Sequence, residues 1–398
     1  MSVNLGTIVL AALCILSGAG AVYLACALFA IEDFRRRPLE RSAATPPLTI
    51  FKPVCGLEPE LFENLCSFCD QEYPVFQVLF GVCDESDPAI PVIRRVIERF
   101  PERDLALVVD GRRTVANGKV ANLINMQPRA KHAIFVIADA DMRVTPAYLQ
   151  AIAAPFEDAR TGAVTCLYGG RPARAGSGGS ALSSRLAAHF INEQFAPSVL
   201  VAQRLEPLRY CFGATMAVRK ATLDAVGGFA ALGAHIGDDY VLGQLVALEG
   251  GRVVLSRYVV VDVIEESSLR SLWEHELRWA RTIRAARPFG YASSVITFPL
   301  PFAFAAACFA PASGRGALLL CGALFVTVLA LRSFVQRAAQ RAFADCFPAG
   351  GAWAVIGARD LLSLCVWAAS FLGASVRWRG ERLTLQDGGA LDHIERNA

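Results

Sequence analysis

The sequence predicts an α/β domain built on a mostly parallel sheet, with membrane helices before and after it. Three observations carry that expectation. Short apolar runs alternate with helix-periodic polar stretches between residues 48 and 258. A charge-free run over 7–30 precedes them, and the chain turns apolar again after Arg287. Composition agrees, with 54% of residues hydrophobic and 19% charged, against roughly 25% charged in an average soluble domain. Part of the apolar surplus therefore faces lipid. The formal net charge of +3 is too small to imply a nucleic-acid partner.

The run 7–30 is long enough to cross a bilayer, for which ~20 residues suffice. A cleaved signal peptide carries its basic residues before the apolar core, whereas Arg35, Arg36, Arg37 and Arg41 follow it here. Residues 1–32 are expected to be an anchor, with that basic end in the cytoplasm and the N-terminus outside. From there "LTIFKPV" (48–54), "FQVLFGV" (76–82), "LALVVD" (105–110), "AIFVIAD" (133–139) and "AVTCLY" (163–168) read as buried strands. The stretches 58–71, 88–100 and 119–130 between them carry apolar residues at helical spacing. The domain is expected over 48–287.

"GGRPARAGSGGS" (169–180) reads as a loop. The amphipathic segment 181–204 reads either as a helix lying on the membrane surface or as an ordinary domain helix. Residues 288–376 are expected to hold the C-terminal membrane helices, with 293–311 and 316–331 as spans. The basic stretch 332–343 should return to the cytoplasm. Segment 351–374 is interrupted by Arg359 and Asp360, which predicts a re-entrant or interfacial piece with those charges paired or wetted. Residues 377–398 complete the chain as a cytoplasmic tail.

Acidic residues gather at strand ends. Asp84, Asp110, Asp139 and Asp141 all lie at or just past the carboxyl ends of predicted strands, where parallel sheets bind ligands. Asp139 and Asp141 are one residue apart and repel. Either they sit in a solvated loop or a divalent cation lies between them. Asp238 and Asp239 open a helical pattern in "GDDYVLG" (237–243). Helix capping would explain one acid and leaves the other for further work. "HELRWARTIR" (275–284) sets Arg278 beside Trp279 just before the apolar C-terminal region, where an interfacial aromatic belt is the competing account. Twelve cysteines include one C-x-x-C, Cys66 and Cys69. The second pair that a zinc site needs is missing, so two small thiols on one helix face are expected.

In this order the strings resemble a membrane-bound glycosyltransferase of the GT-A type. The closest resemblance is to the ceramide glucosyltransferase family (glycosyltransferase family 21), including its bacterial branch associated with hopanoid lipids. "FKPVCGLEPELFENLCSFCDQEYP" (51–74), "FGVCDESDPAI" (80–90), "NGKVANLINM" (117–126) and "IADADMRV" (137–144) carry it. So do "CFGATMAVRK" (211–220), "GGF" (227–229), "GDDYVLG", "HELRWARTIR" and "RWRGERLTL" (377–385).

The resemblance implies a GT-A fold, a UDP-sugar donor, Mg²⁺ or Mn²⁺, and inversion at the anomeric carbon. The implied sugar is of the glucose or N-acetylglucosamine type and the acceptor a membrane lipid, ceramide or hopanoid. The implied location is the bacterial inner membrane, with the catalytic domain facing the cytoplasm. By motif match Asp139 and Asp141 hold the metal, Asp84 contacts the nucleotide with Asp110 second, and Lys119 pairs with a phosphate. Asp239 is the general base and Asp238 supports it. Arg278 grips the diphosphate and Trp279 forms part of the acceptor wall. His275 departs from the Gln or Arg that the family has at the head of this string. Two other readings stand beside this one. A processive polysaccharide synthase of family 2 needs more membrane helices than the three or four available. A non-catalytic membrane scaffold would be favoured by loss of Asp239 or of the Asp139/Asp141 pair, and all three are present.

Overall fold

The computed structural model describes residues 5–174, 180–346, 355–378, 381–385 and 391–395. The chain opens with α1 (Leu5–Arg36), one helix of 32 residues. Then β1 (Leu48–Pro53), α2 (Leu61–Cys69), β2 (Phe76–Val82), α3 (Ala89–Arg99), β3 (Asp104–Val109), α4 (Gly118–Met126) and β4 (Ile134–Ala138) alternate as the periodicity requires. Next come β5 (Met142–Arg143), α5 (Tyr148–Ala153), β6 (Thr161–Pro172), α6 (Ala181–Phe190) and α7 (Ala196–Leu205). The domain closes with β7 (Thr215–Arg219), α8 (Lys220–Ala225), α9 (Asp238–Leu248), β8 (Arg252–Ile264) and α10 (Leu269–Ala286).

The sheet has the order β3-β2-β1-β4-β7-β6-β8-β5. Strands β1 to β4, β6 and β8 point the same way, while β7 and β5 run against their neighbours. Side chains on β1 alternate between faces. Leu48 and Ile50 join one core with Leu65, Phe68, Ile93 and Leu149 from α2, α3 and α5. Phe51 joins the other core with Val120, Leu123, Leu242 and Val246 from α4 and α9. Because both faces are covered, these strands read as unbroken apolar runs. Strands β7 and β8 were not anticipated, and β7 brings an antiparallel pairing into the middle of the sheet.

Beyond Arg287 come α11 (Pro288–Ser293), α12 (Pro299–Phe309), α13 (Arg315–Ala342) and α14 (Val355–Ser370). Helices α1 and α13 are each long and apolar enough to cross a membrane. The expected span 293–311 falls on a bent pair, Pro288–Thr297 and Pro299–Ser313, meeting at 56°, which together are long and apolar enough to cross. The break falls where Pro299 opens a new helix and removes a donor. Cys14 Sγ lies 3.7 Å from Cys321 Sγ and Phe34 packs on Phe343, so α1 and α13 run parallel. Helix α12 runs opposite to them, with Pro299 against Gly20 and Ala306 and Ala310 beside Leu10 and Leu13.

Two expectations change. Segment 181–204 is neither on the surface nor a plain helix. A π-helical turn, Ile191–Phe195, joins α6 to α7. Its polar face of His189, Asn192, Glu193 and Gln194 is buried. Asn192 bonds both backbone groups of Gly170, and Glu193 and Gln194 reach α13 and α14. Amphipathic periodicity cannot distinguish a polar face meeting water from one meeting buried ions. The stretch 332–343 is continuous with α13, and its Arg332 and Gln336 are buried. Among the described residues of 351–374, α14 is not one of the helices long and apolar enough to cross a membrane. Arg359 and Asp360 are fully buried and paired, as expected. Of the Gly-rich stretch, 169–172 completes β6 and 175–179 lie outside the described residues. In the tail, β9 (Ser375–Trp378), β10 (Glu381–Leu385) and β11 (Leu391–Glu395) pair as a small antiparallel sheet.

Close packing also sets the position of α9. A Cβ on Gly243 would lie 2.3 Å from Cα of Tyr210, so only glycine lets the helix approach that strand-connecting segment. Gly243→Ala is expected to cost about 1–3 kcal/mol, the range for overpacking against backbone. A thermal or denaturant midpoint equal to that of the native chain would contradict this.

Candidate active site

The carboxyl ends of the parallel strands form one edge, and the acids separate there into distinct environments. Past β4 the chain turns so that Asp139 and Asp141 face different neighbours. Lys119 Nζ bonds Asp139 Oδ1 at 2.7 Å. Asp141 is pinned to the end of β8, where Val263 N donates to its carbonyl at 3.1 Å. Its Oδ1 is buried without a partner. Burial pushes the Asp141 carboxyl up to about 7, with the charges of Asp139 and Glu58 adding to the effect. This is not a solvated loop.

Lys119 is placed by the start of α4. Asn117 caps the helix, its Oδ1 accepting from Lys119 N at 2.9 Å and Val120 N at 3.2 Å. Its amide Nδ2 donates to His235 O at 2.8 Å, tying the cap to the segment before α9. Burial alone would lower the Lys119 ammonium, but Asp139, Asp238 and Asp239 around it outweigh that and hold it above its ordinary range. Asp238 Oδ2 lies 3.6 Å from Lys119 Nζ, and burial raises its carboxyl.

Asp239 Oδ2 accepts from Gly213 N at 2.7 Å, and Oδ1 from Tyr240 N at 2.8 Å. Burial, then the neighbouring Asp238, pushes this carboxyl up to about 6. Neither acid caps α9, whose N-cap position is Gly237. A methyl group on Gly213 would lie 3.3 Å from Asp239 Oδ2 and 3.6 Å from both Asp139 Oδ2 and Lys119 Nζ. These three side chains thus converge around one glycine.

Asp84 and Asp110 stay outside this cluster. They follow β2 and β3, two and three strands from β4, or roughly 10 and 14 Å at ~4.8 Å per strand. Asp84 accepts from Ser86 N and Oγ, which hold it below the usual range. Asp110 is held down by Arg112. Both line the same edge.

Helix α10 brings the last string to it. Thr282, one turn from Arg278 on the same face, lies 3.8 Å from the Cβ position of Gly237. His275 Nδ1 bonds Glu266 Oε1 at 2.8 Å and its ring meets Trp279 edge-on at 4.4 Å. Trp279 packs on Phe190 of α6.

Three further residues were missed. Lys52 is fully buried under the edge, its Nζ donating to Asp139 O and lying 3.7 Å over the Phe68 ring. Burial lowers its ammonium to about 7 against the pull of Asp141 and Asp139. A lysine inside an otherwise apolar strand was the available signal. Asp262 of β8 pairs in register with Met142, next to Asp141, and burial raises it strongly. Tyr168 of β6 is raised by burial and by the charges of Asp262, Asp239 and Asp139.

Among the described residues no group of three His, Cys, Asp or Glu side chains is arranged to hold an ion. Asp139 and Asp141 still fit a cation that completes its shell on a phosphate ligand. Asp141 Oδ1 is an orphaned buried acceptor, and Mg²⁺ is commonly held by one or two carboxylates plus substrate phosphates.

The chain matches the model of glycosyl transferase family 21 over residues 10–391. It belongs to that family. It is 22% identical over 251 residues to ceramide glucosyltransferase 1 of Caenorhabditis elegans, covering 63% of this chain and 52% of the relative. It is 21% identical over 253 residues to ceramide glucosyltransferase 3 of the same organism, covering 63% and 53%. The match thus spans about half the length of these relatives. Among solved structures it is similar to the mannosyltransferase PcManGT from Pyrobaculum calidifontis in complex with GDP-Man and Mn²⁺. The TM-score is 0.52 and the identity 21%, covering 84% of this chain and 99% of that one. That likeness shows the fold, a GT-A-like mixed α/β domain.

The charge balance is testable through stability. Lys119→Met leaves Asp139, Asp238 and Asp239 facing one another uncompensated. Asp239, pushed up to about 6, is largely protonated at pH 5 and charged at pH 8, and burial raises Asp238 as well. The expected loss is roughly 1–3 kcal/mol at pH 8 and smaller at pH 5. Equal losses at the two pH values, read by thermal melting, would count against the charge role.

Proposed function

We propose that the protein moves one sugar from a UDP-sugar to a hydroxyl of a membrane lipid, with inversion at the anomeric carbon, using Mg²⁺ or Mn²⁺. What supports this most is the convergence of Lys119, Asp139 and Asp239 around Gly213 at the edge where α/β sheets bind ligands. The names of the curated relatives support glucose as the sugar and ceramide as the acceptor. N-acetylglucosamine and a hopanoid polyol follow in the order of tests. The GDP-Man and Mn²⁺ of the mannosyltransferase support a nucleotide-sugar donor and a divalent ion.

Asp239 is the general base. Its raised carboxyl accepts the proton of the acceptor hydroxyl as the new C–O bond forms, while Gly213 N and Tyr240 N hold its two oxygens in place. Arg278 binds the diphosphate and Lys119 offsets negative charge beside it. Asp84 and Asp110 meet the nucleotide end, Asp238 supports Lys119, and Trp279 with His275 forms part of the acceptor wall. Bound by Asp139 and Asp141, the cation would neutralise charge on the departing UDP.

The acceptor's chains stay in lipid, since each CH₂ moved into water costs ~0.8 kcal/mol. The domain therefore works at the membrane surface, with Arg35, Arg36, Arg37 and Arg41 favouring the cytoplasmic face. The bacterial inner membrane is the proposed setting.

The test is transfer by the full chain in detergent or lipid discs, crossing UDP-glucose and UDP-N-acetylglucosamine with ceramide and hopanoid acceptors. EDTA should abolish transfer and Mn²⁺ or Mg²⁺ restore it. Full activity in chelator would remove the metal from the reading. Asp239→Asn should slow transfer by ~10²–10⁴-fold with UDP-sugar binding retained. The native rate should rise with pH through a midpoint near 6, because the base works only when ionised. An Asp239→Asn chain that loses donor binding but keeps its saturated rate would refute the base assignment.

A further inference from the structure

Helix α10 has two working sides. One presents Thr282, a turn beyond Arg278, to Gly237; the other is pressed onto α14. On the second side Arg359 Nη1 and Nη2 donate to Glu276 Oε1 and Oε2, both at 2.7 Å. Glu276 is 5% exposed and Arg359 0%, so this is a fully enclosed two-pronged ion pair. The remaining Arg359 donors are also committed, to Ser363 Oγ at 2.9 and 3.2 Å and to Leu186 O at 3.3 Å. The guanidinium lies 5.4 Å from the Phe190 ring, the same ring that packs on Trp279. At the other end of α14, Arg281 bonds the carbonyls of Ser375 and Leu372, and Arg284 that of Gly373. The two helices are thus bonded at both ends.

Apolar contact alone would leave α10 free to rotate or slide along its partner. A planar fork on a carboxylate permits neither, and enclosed charges leave no water to replace the bond. A helix that presents a guanidinium to a diphosphate needs that restriction, because binding groups work only within a narrow range of position.

We propose that α14 is a splint for the donor-binding helix. Glu276 and Arg359 are positioning residues that set the register of Arg278 and Trp279 without touching substrate. The inference rests on the donor role given above to Arg278. A neighbouring ion cluster supplies the control. Arg332 bonds Glu193 at 3.0 Å and Asp360 at 3.1 Å, equally buried, but ties α13 to the π-turn and α14 rather than to α10.

The experiment uses the full chain in lipid discs and measures UDP affinity, donor and acceptor KM, and melting. Arg359→Met should weaken UDP binding and raise donor KM, with up to ~10²-fold lost in kcat/KM and acceptor KM unchanged. The exchanged pair Glu276→Arg with Arg359→Glu should recover most of that loss, whereas Glu276→Arg alone should not. Arg332→Met should melt earlier yet keep native UDP affinity. Native donor KM in Arg359→Met would overturn the proposal. So would an equal loss of UDP affinity in Arg332→Met, which would mean general loosening. If Arg359→Met does not fold, Arg359→Lys keeps the charge without the fork and should still raise donor KM; a native value there overturns the proposal as well. Arg278→Ala separates the two readings. A raised donor KM there with native values in the Arg359 variants sinks the splint alone, and an unchanged donor KM in Arg278→Ala sinks both.

Discussion

Lys119 touches both Asp139 and Asp238, and Asp239 lies within its field. Three carboxylates at one sheet edge would repel unless a cation stood among them. Everything at that edge is arranged to put one there. Asn117 caps α4 so that Lys119 points inward, and the same amide grips the segment leading to α9. Gly213 contributes a backbone N–H to Asp239, and a Cβ there would press on Asp239 Oδ2 at 3.3 Å while touching Asp139 and Lys119. With the charge balanced, Asp239 sits near 6, available as a base at neutral pH.

A second layer of enclosed charge lies between this domain and the membrane helices. His189 and Glu193 on the π-turn side, Arg332 on α13, and Arg359 and Asp360 on α14 are all buried. They are joined by direct bonds, with Gln194 and Ser363 bridging between the pairs. Such a layer is a poor source of net stability, because each ion has lost its water. It is a strict source of geometry. Removing one partner strands another, so the helices can pack in few alternative ways. The extra residue of a π-turn is what lets Asn192 reach Gly170 while Glu193 and Gln194 face the membrane helices.

How much of this was legible in the sequence follows from the range of each interaction. The anchor, the first strands and the acids at their ends are local features. Hydropathy over 7–30, the apolar runs and the spacing of Asp139 to Asp141 depend on neighbours a few residues away. The ordered strings "IADADMRV", "GDDYVLG" and "HELRWARTIR" pointed to the family before any contact was known. Lys52 and Asp262 carried a faint signal, a charge within an apolar strand, which periodicity alone could not interpret.

Tertiary structure decided the rest. Whether the polar face of 181–204 met water or ions depended on α13 and α14, more than a hundred residues away. How α12 turns back along α1 depended on Pro299 meeting Gly20 across helices distant in sequence. That Asp139, Lys119 and Asp239 share one space, while Asp84 and Asp110 stand apart, depended on strand order and on β7 entering between β4 and β6. Sequence by itself determined which segments were apolar and which residues carried charge, since these are properties of the chain. Only the fold decided which charges would meet, because an ion's partner is set by distance in space and burial, and neither is a local quantity.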